Sequence, residues 1–259
     1  MGLWRSCVLG TLLLMVIPAS VAAPVEVTAC ISDVAAPPYT IPDGEGYSQH
    51  IATRAASVAG FVLRQVVAPR KRCLESVRLG RYQLLLIVAD DPTYLRDYAF
   101  PLQRGKPDSY RTVGYDIAHI VTAGATTVQW DGSTLQGYQR PLLVRSGSQR
   151  AAATLRQLGV PYDEVPTPRQ IFDMLLAHRA EAAVMREYDI GNLCRQAACQ
   201  GRLHVLQPPL FGTHVYIVAN PAFAAQHAPQ MARFWDEVGR ISHAPDWPLQ
   251  RRRLDAAMR

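Results

Sequence analysis

Lysine is scarce in this chain of 259 residues, where Lys71 and Lys106 are the only lysines among 27 basic side chains. The arginines are dispersed, and the longest basic run is 251–253. A net charge of +6 without a longer basic tract argues against nucleic-acid binding. With 49% hydrophobic and 19% charged residues, the composition also excludes a disordered chain, a coiled coil and a collagen-like chain. The length suits one large or two medium globular domains.

No segment after residue 23 reaches 18 uninterrupted apolar residues, so no membrane-spanning helix is predicted there. The apolar run at 7–17 is too short to span a bilayer, follows Arg5 and is followed by small residues. These features predict a secretory signal peptide at 1–22, cleaved after Ala22, with cleavage after Ala23 or an uncleaved anchor as alternatives. The rest of the chain is therefore expected to be exported.

Removal of the signal would reduce the cysteines from five to four. An even number in an exported chain predicts disulfide bonds. Cys194 and Cys199 lie close together in a polar stretch, so we expect a local bridge between them, which leaves Cys30 with Cys73. A metal site and buried free thiols are the alternatives, although the spacing is not C-x-x-C.

Short apolar runs alternate with amphipathic stretches, an order that predicts parallel β-α-β units. Strands are predicted at 25–31, 61–67, 82–88, 141–145, 182–185, 204–206 and 213–219. Helices are predicted from Ser48 to Gly60, at 73–79, from 151 to Gly159, from Thr167 with Pro168 at its first position, from Asn220 with an interruption at Pro229, and from about Asp246. Two such units in series indicate two lobes, joined by a strand within 114–137 and by a return at 207–212.

Sequence motifs for catalysis are missing. The chain has no G-x-S-x-G, no H-E-x-x-H and no P-loop, and its seven histidines show no i, i+4 pair. We therefore predict a protein that is not an enzyme and needs no metal or cofactor.

Three features are typical of ligand recognition instead. Ala-Pro-Pro-Tyr39 follows the first strand, where the prolines hold the loop extended. Asp90 and Arg96 follow the third strand, and the Arg96 guanidinium suits a carboxylate or phosphate. Ser146-Gly147-Ser148 follows Arg145 at a helix start, where free amides and the helix dipole favour an anion.

In this order, and after a signal peptide, the features resemble those of the periplasmic solute-binding proteins of family 3, the amino-acid-binding type. The matching motifs are Pro37-Pro38-Tyr39, Cys30 in the first strand, Pro69-Arg70-Lys71-Arg72-Cys73-Leu74, Thr93-Tyr94-Leu95-Arg96, Ser146-Gly147-Ser148 and the stretch from His178 to Val184. One departure is Arg70, where a subgroup of the family has tryptophan.

The resemblance implies an α/β, two-lobed type II periplasmic-binding-protein fold. Each lobe would hold a mixed, mainly parallel sheet flanked by helices, with two hinge crossings between the lobes. The expected first lobe combines 23–113 with 212–259, and the expected second lobe is 114–211.

The resemblance also implies a set of ligand-binding residues. Arg96 would bind a ligand carboxylate, Tyr39 would form a stacking wall, and Ser146–Ser148 would contact the ligand from the second lobe. Arg186 falls near the acidic residue that takes the ligand ammonium group in amino-acid binders, with Glu187 next to it. An Arg186 that faces the cleft would favour a more anionic ligand, whereas Glu187 would permit an amino acid. The full predicted set is Tyr39, Arg72, Asp90, Arg96, Ser146, Gly147, Ser148, Arg186 and Glu187.

The function that follows is capture of a small polar, carboxylate-bearing solute by hinge closure in the periplasm. The expected partner is an inner-membrane ABC permease or a sensor, and the protein is expected to be a monomer without nucleic-acid partners. Two alternatives stay open: an orphan binding protein or sensor, and a periplasmic enzyme of the cyclohexadienyl dehydratase type with Glu187 as its acid–base group.

Overall fold

The computed structural model describes residues 24–124, 126–196 and 202–258. The strands are β1 (Val25–Ser32), β2 (Phe61–Ala68), β3 (Leu84–Ala89), β4 (Leu102–Gln103), β5 (Lys106–Pro107), β6 (Gly114–Ala123), β7 (Gln129–Trp130), β8 (Leu135–Gln136), β9 (Leu142–Arg145), β10 (Tyr162–Val165), β11 (Ala182–Arg186), β12 (Leu203–Val205) and β13 (Phe211–Ala219). The helices are α1 (Tyr47–Ala59), α2 (Arg70–Arg78), α3 (Pro92–Asp97), α4 (Gln149–Gln157), α5 (Pro168–Leu176), α6 (Glu187–Gln196), α7 (Pro221–Gln226), α8 (Ala228–Ser242) and α9 (Trp247–Ala257).

A single mixed sheet runs through the described chain in the order β10-β9-β11-β6-β13-β3-β1-β2, with β12 also paired to β6. At one end β1 pairs in parallel with β2 and β3, and at the other β9 pairs in parallel with β10 and β11. The strands between these ends, β6 and β13, are antiparallel to each other and to their outer neighbours. The sheet is therefore parallel at both ends and joined in the middle by two long antiparallel strands.

Apolar side chains pack into separate clusters at the two ends of the sheet. One cluster gathers α1, α8 and the inner face of β1, with Ile51, Phe234 and Val238 fully buried. Another gathers β9, β11 and α4, with Leu142 and Leu155 fully buried. β6 and β13 run between these regions, as the predicted hinge crossings do. The lobe boundaries at 113/114 and 211/212 stay a prediction.

Two predicted helix starts and one predicted helix break are wrong, whereas the start at Asn220 is confirmed. α1 begins at Tyr47 with Gly46 as its N-cap, so Ser48 lies inside the helix. α2 begins three residues before Cys73, because Pro69 precedes it in an extended conformation and its carbonyl accepts the first helical bond from Cys73. The break before α8 lies at His227, and Pro229 is tolerated because proline fits the first turn of a helix. The predicted stop at Gly60, which has a φ of 82°, and the Thr167 cap are confirmed.

The cysteines follow the sequence prediction where the structure describes them. Cys30 on β1 and Cys73 on α2 form a disulfide, and both are buried. Cys194 on α6 is also disulfide-bonded, but Cys199 lies outside the described residues, so the Cys194–Cys199 pairing stays a prediction. The predicted signal peptide at 1–22 also lies outside them. Among the helices of the described ranges, none has the length and apolar character needed to cross a bilayer.

Candidate functional site

The loop after β1 holds Tyr39 against the start of α1. The backbone carbonyls of Pro38 and Tyr39 accept hydrogen bonds from the amides of Tyr47 and Ser48, at 2.8 and 2.9 Å. A side chain on Gly46 would collide with the Tyr39 carbonyl, so this close approach requires glycine. Tyr39 is only 5% exposed as a result. The predicted stacking residue therefore has a fixed position at the end of β1.

A cluster of opposite charges lies where β6 passes the end of β11. The guanidinium of Arg186 donates twice to Asp189, at 2.9 and 3.1 Å. Its Nη1 lies 3.8 Å from a carboxylate oxygen of Asp116 on β6. One arginine is thus shared by two carboxylates, with the tighter, two-bond contact to Asp189.

Arg145, the last residue of β9, reaches from that end of the sheet to the other. Its Nη2 donates to the backbone carbonyl of Ala35, in the loop after β1, at 3.0 Å. Among the described residues, no carboxylate forms an ion pair or hydrogen bond with Arg145. Its remaining donors are therefore available to a ligand.

Burial shapes the electrostatics of this polar cluster. Burial raises the pKa of the Asp116 carboxyl, Asp189 and Glu187 add to the rise, and Arg186 opposes it. Burial lowers the pKa of Arg145, the nearby Arg186 charge lowers it further, and Asp189 acts in the opposite direction. A cation bound nearby would stabilise the ionised form of the Asp116 carboxyl, and an anion bound nearby would stabilise the charged guanidinium of Arg145.

A cavity of about 330 Å³ lies between the two ends of the sheet, beside β6. Its walls come from the loop after β1, the start of α1, β6, α6 and α9. The lining residues are Pro38, Tyr39, Tyr47, Val113, Gly114, Tyr115, Asp116, Ile117, Glu187, Tyr188, Gly191, Arg251 and Asp255. Four tyrosine rings and three carboxylates thus surround this space, with one guanidinium, that of Arg251.

Gly114 brings β6 close to Tyr39 within this cavity. A Cβ atom at position 114 would lie 3.0 Å from the Tyr39 hydroxyl and 3.1 Å from its ring. Both distances are shorter than ordinary van der Waals contact, so the absence of a side chain at Gly114 permits the observed Tyr39 position.

Solved structures of two ligand-binding proteins share this architecture. The P235GK mutant of ArgBP from T. maritima superposes with a TM-score of 0.62 at 12% identity, over 89% of this chain and 95% of that one. The GluR0 ligand-binding core from Nostoc punctiforme, in complex with L-glutamate, superposes with a TM-score of 0.59 at 12% identity, over 86% of this chain and 100% of that one. This chain has the two-lobed fold of periplasmic binding proteins.

A sensor domain has the same two-lobed fold. A histidine kinase sensor domain with similarity to periplasmic binding proteins superposes with a TM-score of 0.58 at 15% identity, over 89% of this chain and 94% of that one. No protein-family model and no curated protein sequence matches the chain. At these identities the likeness establishes the fold, and the ligand has to be argued from the residues of this chain.

The structure brings three of the predicted site residues together. Tyr39 and Glu187 both line the cavity, and Arg186 contacts Asp116, another lining residue. The adjacent residues Arg186 and Glu187 differ in the direction that their side chains take. Glu187 is exposed to the cavity, whereas Arg186 turns to its two carboxylate partners.

Three other predicted residues lie elsewhere. Asp90 accepts a hydrogen bond from the Thr213 hydroxyl at 2.8 Å and lies 3.7 Å from His214, so it connects the end of β3 to β13. Arg96 on α3 and Arg72 on α2 are exposed, and neither lines this cavity. Their roles as ligand-binding residues stay predictions.

The turn at Ser146–Ser148 offers fewer free amides than the sequence suggested. The Ser146 amide donates to the Val165 carbonyl at 2.9 Å, and the Ser148 amide donates to the Arg145 carbonyl at 3.0 Å. Gly147 has a φ of 78°, which glycine adopts without strain. The hydroxyl groups and the Gly147 amide are therefore the groups at this turn that suit a ligand contact, and such a contact stays a prediction.

Sequence reasoning missed several residues of the site, among them Asp116, Tyr47 and Arg251, and it named Arg145 only as the residue before the Ser146 turn. Asp116 is the one acidic residue of the mainly apolar strand β6, and that contrast is a usable signal. Arg145 ends a strand whose other residues are apolar, which is a comparable signal. The sequence around Tyr47 and Arg251 has no comparable signal, because the two residues come together only where α9 packs beside α1. Within the described ranges, no cluster of three or more His, Cys, Asp or Glu side chains is arranged to hold a metal ion.

Proposed function

We propose that this protein binds a small polar, carboxylate-bearing solute in the periplasm by closure of its two lobes, and delivers it to an ABC importer. The observation that carries the proposal is the cavity of about 330 Å³ between the two ends of the sheet. Its walls come from elements on both sides of the crossing strands, so a bound solute would contact both lobes at once. Such a solute favours the closed state by its differential contacts with the two states.

The carboxylate in this proposal would bind an arginine. Arg145 supports this part best: it is not a lining residue of this cavity, but it lies near Arg186, is partly buried and, among the described residues, is hydrogen-bonded only to a carbonyl. An arginine in that state gains a charge-assisted, two-bond contact when a carboxylate arrives. Arg96, the arginine that the sequence motif implies, is the second candidate.

Isothermal titration calorimetry with single variants would separate these candidates. We expect Arg145→Ala to weaken the binding of a carboxylate ligand by about tenfold or more, and Arg96→Ala to have a smaller effect. Arg140→Ala is the matched control, because Arg140 also donates to backbone carbonyls but is exposed, and within the described ranges its side chain bonds only to His178 and Arg179, far from Arg186 in the chain's polar cluster. Equal affinities for the Arg145 variant and the wild type would remove Arg145 from the site.

Sensing without transport is a second candidate function. The observation in its favour is the similarity to a histidine kinase sensor domain over 89% of this chain. Co-purification with a membrane permease, or with a membrane kinase, would distinguish delivery from sensing.

An enzyme of the cyclohexadienyl dehydratase type is a third candidate. Glu187 lines the cavity, and this reaction needs a carboxyl group that faces the ligand as its acid–base group. Incubation with prephenate or arogenate tests this directly, because dehydration and decarboxylation of either compound give an aromatic product with its own absorbance.

A further inference from the structure

We infer that the solute carries an organic cation, and that the tyrosine-lined cavity beside β6 binds this group. The cation would be weakly hydrated, such as a quaternary ammonium or a guanidinium. This inference rests on the proposed function, and it adds a second charged group to the carboxylate proposed there.

The first argument is the charge of the cavity. Asp116, Glu187 and Asp255 line it, with Arg251 as the basic lining residue, so its lining carries a net charge of −2 at neutral pH. The whole chain carries +6. A negative cavity in a basic protein concentrates positive charge at that place and disfavours an anion.

The second argument is the aromatic wall. Tyr39, Tyr47, Tyr115 and Tyr188 all line the cavity, and the rings of Tyr39 and Tyr47 meet edge to face with their centroids 6.2 Å apart. Faces of tyrosine rings attract cations, most strongly when the cation is poorly hydrated. The chain already uses this property, because the Arg251 guanidinium lies 6.0 Å from the centroid of the Tyr47 ring.

The third argument is the state of Asp116. Its carboxylate is mostly buried, and its cationic partner Arg186 lies at 3.8 Å and donates its short hydrogen bonds to Asp189 instead. A buried carboxylate with so distant a counter-ion has unused acceptor capacity. A ligand cation in the cavity would supply the missing partner.

The geometry assigns separate roles to the two ends of the ligand. Arg145 lies at the end of β9 near Arg186, and Arg186 lies 3.8 Å from Asp116, which lines the cavity together with the tyrosines. A ligand with an anionic end at Arg145 and a cationic end among the tyrosines would therefore lie across Asp116.

Calorimetry with four probes tests the inference: choline, glycine betaine, agmatine and succinate. Choline and agmatine carry a quaternary ammonium or a guanidinium without a carboxylate, glycine betaine carries both groups, and succinate carries no cation. We expect binding by glycine betaine and by at least one of the other two cations. The comparison of choline with agmatine identifies the type of cation.

Variants connect any binding to this cavity. We expect Asp116→Asn to weaken cation binding by about tenfold or more. Tyr47→Phe keeps the ring and should preserve binding, whereas Tyr47→Leu should reduce it. Asp163→Asn is the matched control, because Asp163 is exposed on β10 and away from the cavity. Circular dichroism and the thermal midpoint confirm that each variant folds.

The outcomes separate this inference from the proposed function. Binding of succinate without binding of any cation would overturn the inference and leave the proposed function intact. Cation binding that is insensitive to Asp116→Asn would also overturn it, because the cation would then lie elsewhere. Failure of all four probes to bind would contradict both.

Discussion

The guanidinium of Arg145 donates to the backbone carbonyl of Ala35 over 3.0 Å, and this bond joins the end of β9 to the loop after β1. The two residues are 110 positions apart in the sequence and belong to opposite ends of the sheet. A side chain therefore connects the two lobes directly, in addition to the crossing strands. The contact holds the loop after β1 against the end of β9, and the remaining donors of the guanidinium stay available to a ligand carboxylate.

Replacement of Arg145 by alanine should shift the protein toward an open form. A hydrogen bond from a charged donor contributes about 1.5 to 3 kcal/mol, so its loss should change the closed-to-open ratio by about tenfold or more. Small-angle X-ray scattering would report this as a larger radius of gyration. Arg140→Ala should leave the radius unchanged, since Arg140 bonds to the carbonyls of His178 and Arg179 within one lobe. An unchanged radius for Arg145→Ala would show that the bond does not hold the lobes together.

Substitution of Asp116 by asparagine should stabilise the protein at neutral pH. The folded-state pKa of Asp116 is raised, mainly by burial, so the folded state binds this proton more tightly than the unfolded state. The ionised form therefore costs stability above the raised pKa. That cost disappears as the pH falls below the ordinary carboxyl pKa of about 3.9. Thermal midpoints should be higher for Asp116→Asn than for the wild type at pH 7 and equal near pH 3.

The effect expected at Asp116 depends on the charged groups that face it, and the control is a carboxylate without them. Arg186 holds the pKa of Asp116 down, whereas Asp189 and Glu187 raise it. Asp163 is exposed, so Asp163→Asn is expected to have the same thermal midpoint as the wild type at both pH values. A lower midpoint for Asp116→Asn at pH 7 would mean that the Arg186 contact outweighs the cost of burial.

Gly114→Ala should disturb the cavity through Tyr39. The new methyl group would lie 3.0 Å from the Tyr39 hydroxyl, and overpacking of this kind costs about 1 to 3 kcal/mol. Denaturant unfolding would measure the loss. In the double variant with Tyr39→Ala the clash is removed, so the two effects should not add. Additive losses would place the strain of Gly114→Ala elsewhere in β6.

Loss of the Cys30–Cys73 disulfide should lower the free energy of unfolding by about 4 kcal/mol, because the bond closes a loop across a sequence separation of 43 residues. Urea unfolding of the Cys30→Ala/Cys73→Ala double variant measures this difference while the bond at Cys194 is retained. A loss below about 1 kcal/mol would indicate that the unfolded chain is already compact in this region.

The sequence was sufficient to predict most of the main helices and strands in order, because the apolar periodicity is clear and Gly60 and Thr167 mark helix ends, but it missed β10 and α6. It was less informative at α1 and α2. There, tertiary contacts of the Tyr39 loop and the extended conformation of Pro69 determine where each helix begins.

The candidate site was predicted in part. Glu187 follows the end of β11 directly and Tyr39 lies in the loop after β1, and such strand ends are where open sheets bind ligands. Tyr47, Arg251 and Asp255 reach the cavity only because α9 packs beside α1, where the Tyr47 hydroxyl donates to Asp255 at 2.7 Å. Tyr47 and Asp255 are 208 positions apart, and a contact between residues so far apart leaves no pattern in a single sequence.

The antiparallel pairing of β6 and β13 has a mechanical consequence. The strands are paired over five residues, from Phe211 opposite Ala118 to Val215 opposite Gly114. Both connections between the lobes thus belong to one hydrogen-bonded ribbon. Tyr115 covers Gly212 on this ribbon, at a place where a side chain on residue 212 would clash. The closure proposed above would therefore have to twist ten paired residues, instead of bending a flexible linker.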